Sequence, residues 1–318
     1  MEQRIKQLLL AVVMGLVMPS VALRLGPPPG DETLPTVQTS QEAEIAMTVP
    51  LLTADGVRQI PLEEYVLGVV LAEMPASFET EALKAQAVAA RTVAMRSTWI
   101  APRHTGGALC TDPDCCQAYM AEADYLAQGG GKANLEKARG AVTATAEQVL
   151  TYKGELIEAV YFSCSGGLTE DASVVWGNDL PYLQSVESAG EEGAEHYWAS
   201  KTFTAAQFAA LLGRSLPGSP NGWFGTVTYT PGGGVHTMTV AGQRYSGVQL
   251  RQLLDLNSTI FSMEVSGNTI TVFTRGKGHR VGMSQYGADA MAVQGSGYET
   301  ILAHYYRGTR IDKISSLG

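Results

Sequence analysis

The chain of 318 residues predicts an α+β fold. A helix-turn-helix region packs with a mixed or antiparallel sheet, and a smaller α+β subdomain is inserted. Three observations predict it. Residues 63–94 carry two helical stretches divided by a proline, and residues 147–164 alternate with the period of strands. Residues 197–266 then interleave two short capped helices with strand runs parted by glycine turns.

A chain of this length buries a large core, as one composite domain or two. The net charge of −9 and pI near 5.1 argue against nucleic acid as a partner. Polysaccharide, which lacks a phosphate backbone, stays open. At the N-terminus, Arg4 and Lys6 precede an apolar run from Leu8 to Leu23. The run is short for a spanning helix of about 20 residues and long for a signal h-region. Residues 1–23 read as an uncleaved signal anchor, with cleavage as the alternative; either way the remainder is exported and the positive end stays inside. Residues 24–48 are Gly-Pro-rich and then polar, a flexible tether. Residues 49–190 with 274–318 are expected to form the core, and 191–273 the inserted subdomain.

The core opens with MTVPLLTADGVRQIPL, a hairpin turning at Asp55-Gly56. Pro61 suits the first turn of a helix, and Glu63 and Glu64 suit its positive end. Leu62, Val66 and Val69 form a stripe whose next position is Glu73, and Pro75 ends the helix there. Glu73 is thus a carboxylate at the negative end of a helix on its apolar face. Dipole and desolvation both disfavour its charge, so its pKa is expected to rise toward that of a general acid. The bland alternative is a solvated carboxylate at a frayed end. Ser77 or Thr80 caps the second helix, whose Ala85, Ala87, Ala89, Ala90 and Ala94 allow close packing. Lys84 and Arg91, about 10 Å apart, share one of its faces, which is either functional or merely solvated.

Residues 103–119, RHTGGALCTDPDCCQAY, hold three of the four cysteines. Adjacent Cys115 and Cys116 do not readily bond each other, so one reading is a disulfide from Cys110 to either of them, credible in an exported protein. The other is a four-ligand zinc set of His104, Cys110, Cys115 and Cys116. After a helix over 135–146, Val149, Thr151, Ile157, Ala159, Tyr161 and Ser163 alternate across a Lys153-Gly154 turn. SCSGGLTEDASVVWG follows, a hydroxyl-rich Gly-Gly loop that either approaches a ligand closely or simply turns. Cys164 reads as a buried thiol. In the insert, Thr204 and Ser246 cap helices striped by Phe208, Leu211, Leu212 and by Leu250, Leu253, Leu254, and a Gly267-Asn268 turn closes it. No chemistry is evident there. The last segment, RGKGHRVGMSQYGADAMAVQG, sets His279 beside two glycines and ahead of Ser284, Gln285 and Tyr286.

EMPASFETEALKAQAVAART closely resembles the signature helix of stage II sporulation protein D (SpoIID), a family of lytic transglycosylases acting on bacterial cell-wall glycan. Two further segments are similar to that family: S-x-S-G-G-x-T-E with a later W-G and P-Y-L, matched at Ser163, Ser165, Gly166, Gly167, Thr169, Glu170, Trp176 and Tyr182, and G-x-G-H-x-V-G-M-S-Q-x-G-A around His279. The similarity spans about Val49 to Arg310. It implies that Glu73 is the catalytic glutamate and that Lys84 and Arg91 orient substrate or tune it. Gln86, Ser163, Ser165, Gly166, Tyr182, His279, Ser284, Gln285 and Tyr286 are then expected along the sugar cleft. Certain relatives hold zinc in a similar loop with two histidines and two cysteines, which implies structural Zn2+ on His104, Cys110, Cys115 and Cys116, with Cys115 in place of the second histidine. The family pattern G-H-G has Arg280 at its third position here, where a positive φ would strain it. The implied reaction uses one glutamate as acid and then base, yielding 1,6-anhydroMurNAc ends. The implied setting is engulfment during sporulation, on glycan strands stripped of stem peptides, in the space between mother cell and forespore. Implied partners are peptidoglycan, a SpoIIP-like amidase and a SpoIIM-like membrane protein.

Three rivals stand beside this reading. A conventional hydrolase would use Glu170 or Asp171 as its second carboxylate. A zinc hydrolase would need an open coordination position, which four ligands in one loop do not leave. A non-catalytic wall-binding scaffold would not need Glu73.

Overall fold

The computed structural model describes residues 47–317. The expected signal anchor and all but the last two residues of the tether lie outside the described residues. Among the described residues no helix is long and apolar enough to cross a membrane.

The fold is α+β, built of several small sheets around a buried helix pair. An antiparallel hairpin comes first, β1 (Thr48–Thr53) and β2 (Gly56–Pro61), in register from Thr48↔Pro61 to Thr53↔Gly56. Its turn is therefore Ala54-Asp55, one residue earlier than expected. Helix α1 (Leu62–Glu73) is buried all along Tyr65 to Leu71. Met74 is extended (φ −127°, ψ 136°) ahead of Pro75, the conformation a following proline imposes, and the helix stops there. Helix α2 (Thr80–Trp99) is capped by neither Ser77 nor Thr80. Its N-cap residue is Glu79, whose N–H donates to Asp289 Oδ1 at 2.7 Å. Ala85, Ala87, Ala89, Ala90 and Ala94 are fully buried. Without side-chain bulk there, α2 runs as the central post against α1 and the elements that follow.

Helices α3 (Glu122–Ala127) and α4 (Lys132–Ala144) come next, the latter against both α1 and α2. Strands β3 (Gln148–Tyr152) and β4 (Glu155–Leu156) turn at Lys153-Gly154, both at positive φ (54° and 87°). The alternation expected to run on to Ser163 breaks after Leu156. Strand β5 (Tyr161–Phe162) instead pairs in parallel with Met283–Ser284. Strand β6 (Gly167–Leu168), helix α5 (Ala172–Trp176) and strand β7 (Glu187–Ser188) complete this stretch.

Residues 198–275 gather round their own apolar cluster, centred on Phe208, Trp223, Val240, Leu250, Ile270 and Val272. Here β8 (Trp198–Thr204) leads into α6 (Ala205–Leu211), followed by the antiparallel set β9 (Phe224–Tyr229), β10 (Val235–Val240) and β11 (Gln243–Ser246). Helix α7 (Gly247–Leu253) precedes the hairpin of β12 (Ile260–Ser266) and β13 (Thr269–Arg275), and β13 also pairs with β8. Both helices start with full capping boxes, Thr204 with Gln207 and Ser246 with Gln249, as the sequence predicts. The chain then returns through β14 (Met283–Ser284), α8 (Gln285–Val293), α9 (Tyr298–Tyr305) and β15 (Arg310–Lys313), which pairs with β3.

Arg280 stitches the two clusters together. It does take the left-handed conformation (φ 68°) that an arginine resists. Its side chain is fully buried and donates to Ser165 O and Leu168 O at 2.9 Å, to Thr259 Oγ1 at 3.1 Å, and to Gly232 O. Glu170 Oε2 lies 3.8 Å from it and accepts from Thr230 Oγ1. These contacts offset the backbone strain.

Candidate active site

Glu73 is the last residue of α1 and is half-buried. Burial raises its pKa above the ordinary carboxylate value, while hydrogen bonds from the Ala118 N–H (2.8 Å) and from Gln285 hold it partly back. The expectation of a raised carboxyl group is met in direction, with desolvation as the dominant cause. Around it stand groups that the sequence reading did not single out. Tyr161 OH donates to Gln117 Oε1 at 2.8 Å, and Gln117 Nε2 donates to Tyr65 OH at 3.2 Å. Both phenols are raised first by burial, and the charge of Glu73 adds to each. Gln285, the first residue of α8, donates to Gln86 Oε1 at 3.5 Å, and the buried Gln86 Nε2 has no partner.

Glu73, Gln86 and Gln285 therefore come together, and most of the other expected site residues do not. Lys84 donates to Glu81 at 2.7 Å and sits 5.7 Å over the Tyr298 ring. Arg91 is fully buried and grips both oxygens of Glu63, at the opposite end of α1 from Glu73. Those ten residues of helix span about 15 Å, so Arg91 does not reach Glu73. Ser165 and Gly166 face inward: both N–H groups and Ser165 Oγ donate to the buried carboxylate of Glu191. Ser163 offers its carbonyl to Tyr286 N–H and Ser284 Oγ. Ser284 also caps α8 by accepting from the Gly287 N–H at 3.2 Å, so Gln285 and Tyr286 form its first turn. Tyr286 packs edge-on to Phe78, 4.9 Å between centroids. Tyr182 is buried and accepts from the Glu158 N–H at 3.3 Å.

His279 lies between the rings of Phe162 and Trp176, at 5.6 and 5.2 Å. Its Nδ1 accepts from the Val281 N–H (3.1 Å), which leaves the proton on Nε2. Burial, reinforced by the charge of Arg251, pushes its pKa down to about 4. The imidazole is neutral at pH 7.

The cysteine loop is pinned in its middle and at its C-terminal end. Leu109 exchanges backbone hydrogen bonds with Pro50 and Leu52, and the Met120 N–H donates to Gly68 O. The ligand atoms of His104, Cys110, Cys115 and Cys116 all lie within 4.8 Å of one another, and the thiols are free. A tetrahedral zinc with bonds of about 2.0–2.3 Å sets its ligands about 3.3–3.8 Å apart, so the four side chains fit such a metal. The loop ends in Gln117 and Ala118, the two residues that hold Tyr65, Tyr161 and Glu73.

A family model described as stage II sporulation protein matches residues 53–152, which include Glu73 and the whole cysteine loop. Stage II sporulation protein D of Bacillus subtilis is 43% identical over 287 residues, covering 88% of this chain and 82% of the relative. The chain belongs to the stage II sporulation protein D family. A second SpoIID protein, from Bacillus amyloliquefaciens, is 39% identical over 91% of this chain and 87% of its own length. The amidase enhancer of Bacillus subtilis is 28% identical over 77% of this chain, which spans 40% of that longer protein. Family membership makes this a sporulation protein and accounts for the signature around Glu73.

Proposed function

We propose that this SpoIID protein is a lytic transglycosylase, cleaving the MurNAc-GlcNAc bond of glycan strands stripped of stem peptides. The observation that carries the reading is Glu73. Its carboxyl group is raised by burial, held by one backbone N–H and faced by Gln285, which in turn donates to Gln86. Both candidates for the second carboxylate of a conventional hydrolase are occupied elsewhere. Glu170 is buried against Arg280, Thr230 and Gly232, and Asp171 Oδ1 accepts from the Ser185 N–H at 2.5 Å.

Protonated Glu73 donates to the bridging oxygen as the glycosidic bond breaks. The resulting carboxylate, steadied by the Ala118 N–H, accepts the proton of the MurNAc 6-hydroxyl, whose oxygen attacks the anomeric carbon of the same sugar. The new end is 1,6-anhydroMurNAc and no water is consumed. Lys84 and Arg91 act on folding, through Glu81 and Glu63.

We assign zinc to His104, Cys110, Cys115 and Cys116 as a structural ion, since four protein ligands close the shell. When bound, it supplies a cross-link that fixes Gln117 and Ala118. Residues 191–273 are assigned as the inserted subdomain on the strength of their separate apolar cluster. The N-terminal anchor places the enzyme on the outer face of the membrane. There a SpoIIP-like amidase prepares its substrate beside a SpoIIM-like membrane protein; the relationship to an amidase enhancer supports an amidase partnership.

The test uses residues 48–318 and purified glycan free of stem peptides. Mass spectrometry separates anhydro ends from reducing ends, which are heavier by one water. Anhydro ends that disappear with Glu73→Gln and persist with Asp171→Asn are expected. Reducing ends would overturn the reading in favour of a hydrolase.

A further inference from the structure

Gln117 opens a stretch without regular secondary structure, residues 117–120, so no strand ladder holds its backbone. Its side chain does so instead. The amide is buried, at 3% exposure, and meets three elements at once. Nε2 donates to Tyr65 OH on α1 at 3.2 Å and to Ala90 O on α2 at 3.4 Å, and Oε1 accepts from Tyr161 OH on β5 at 2.8 Å. The Ala90 carbonyl can only accept, so it fixes which end of the amide faces which partner. Tyr161 must then donate, and its proton is committed to Gln117 rather than to Glu73. The residues that follow lie against α1. The Ala118 N–H donates to Glu73 Oε1 at 2.8 Å, the Tyr119 ring stacks on Tyr65 at 5.7 Å, and the Met120 N–H donates to Gly68 O at 3.0 Å. Gly68 permits that approach, since a Cβ there would stand 2.2 Å from the Tyr119 ring.

We propose that Gln117 is a positioning residue for Glu73: its three-way clamp sets the place of the Ala118 N–H, and that N–H orients the carboxyl group. This rests on the acid and base role given to Glu73 above and deepens it. A backbone donor stabilises a developing carboxylate best when it already points at the place where the charge forms. Glu73 has to hold a proton to break the glycosidic bond and then, as a carboxylate, to take one back. Burial favours the first form, and the Ala118 N–H favours the second. Gln117 keeps that balance by keeping the donor in place, without touching the substrate. Its clamp draws on α1, α2 and β5 and not on the cysteine side chains, so it is a separate device from the metal set.

The experiment follows Glu73 by NMR in the full chain, purified under reducing conditions, with isotope label at glutamate carboxyl carbons and alanine amide nitrogens. Glu73→Gln identifies the Glu73 signal. In the parent protein the Ala118 amide should titrate with the same midpoint as the Glu73 carboxyl group. An amide that ignores that titration overturns the proposal with no variant of Gln117 needed. Gln117→Met keeps the bulk and removes all three bonds. It should raise the Glu73 midpoint by about one pH unit, the worth of a hydrogen bond to a charged group, and uncouple the Ala118 amide from it. Gln117→Asn, whose amide is one methylene short, should shift the midpoint the same way by less, and it stands in where Gln117→Met does not fold. In glycan cleavage the high-pH limb, where Glu73 loses its proton, should move up by the same amount. A midpoint and a limb that stay in place while Tm falls overturn the proposal and leave Gln117 a packing residue. An absence of cleavage by the parent removes the glycan-cleaving reading alone, since the NMR titration still decides the role of Gln117.

Discussion

Arg91 separates a residue that serves the substrate from one that serves the fold. Its guanidinium is fully buried and bidentate on Glu63, at 2.9 Å from Nε to Oε1 and 2.5 Å from Nη2 to Oε2, and it also donates to Gln148 O at 3.1 Å. Breaking a buried ion pair by removing one partner costs about 3–5 kcal/mol. The Glu63 side chain is 37% exposed, so its orphaned carboxylate recovers some hydration and the lower end applies, about 3 kcal/mol for Arg91→Met. For a unit of this size each kcal/mol lowers Tm by about 2–4 °C, giving a fall of roughly 6–12 °C. The assay pairs thermal unfolding, followed by circular dichroism, with glycan cleavage measured well below the lowered Tm. The variant should melt early and still cleave when cold. Glu63→Gln, which leaves the buried cation unpaired, should destabilise similarly. An unchanged Tm with cleavage lost would refute the structural role and return Arg91 to the sugar cleft.

Other perturbations follow from the same geometry. The raised pKa of Glu73 means that the folded state holds a proton the unfolded chain has released, so Glu73 lowers stability as pH climbs above the ordinary carboxylate value. Glu73→Gln should therefore melt higher than the parent at pH 7 and match it near pH 3, as denaturant titrations at the two pH values would report. His279 behaves oppositely. With its folded pKa near 4 against 6.5 unfolded, stability is lost as pH falls from about 6.5 toward 4, and His279→Gln should flatten that part of the profile. Protein purified under reducing conditions should carry close to one zinc per chain by elemental analysis, and Cys116→Ser should lower both that content and the hydrogen-exchange protection of the Ala118 amide. Arg280→Gly removes the backbone strain at φ 68° but leaves Gly232 O, Leu168 O and Glu170 without their buried donor. The net effect should be destabilising by about 2–4 kcal/mol in urea denaturation.

The local elements were legible because their signals are local. Pro75 ended α1, the two capping boxes began α6 and α7, and Gly267-Asn268 turned β12 into β13. Where the sequence misled, a distant partner had intervened. Asp289 took over the cap of α2 from Ser77 and Thr80 across some 200 residues. Beyond Leu156, pairing of Tyr161–Phe162 with Met283–Ser284 replaced the expected long hairpin. Ser165 and Gly166 looked like a ligand loop because small residues and hydroxyls favour close approach, and close approach is what they do, to the carboxylate of Glu191. Sequence pattern shows that a backbone is open to a partner; it does not show which partner arrives.

The same limit explains the candidate site. Glu73 was legible because helix period, helix polarity and a terminating proline all act within a dozen residues. Gln117 and Tyr161 were not, since neither has a spacing that marks it and each gains meaning only from the other, through the 2.8 Å bond between them. One feature could have signalled Gln117: it and Ala118 directly follow Cys116, so any geometry imposed on the cysteines bears on the next two residues as well. Under the zinc assignment proposed above, His104, Cys110, Cys115 and Cys116 would close the shell and leave no position for chemistry. Their contribution to function is therefore positional. A metal there would hold rigid the Ala118 N–H that donates to Glu73, so that the carboxyl group would take its geometry from the loop that carries the cysteines.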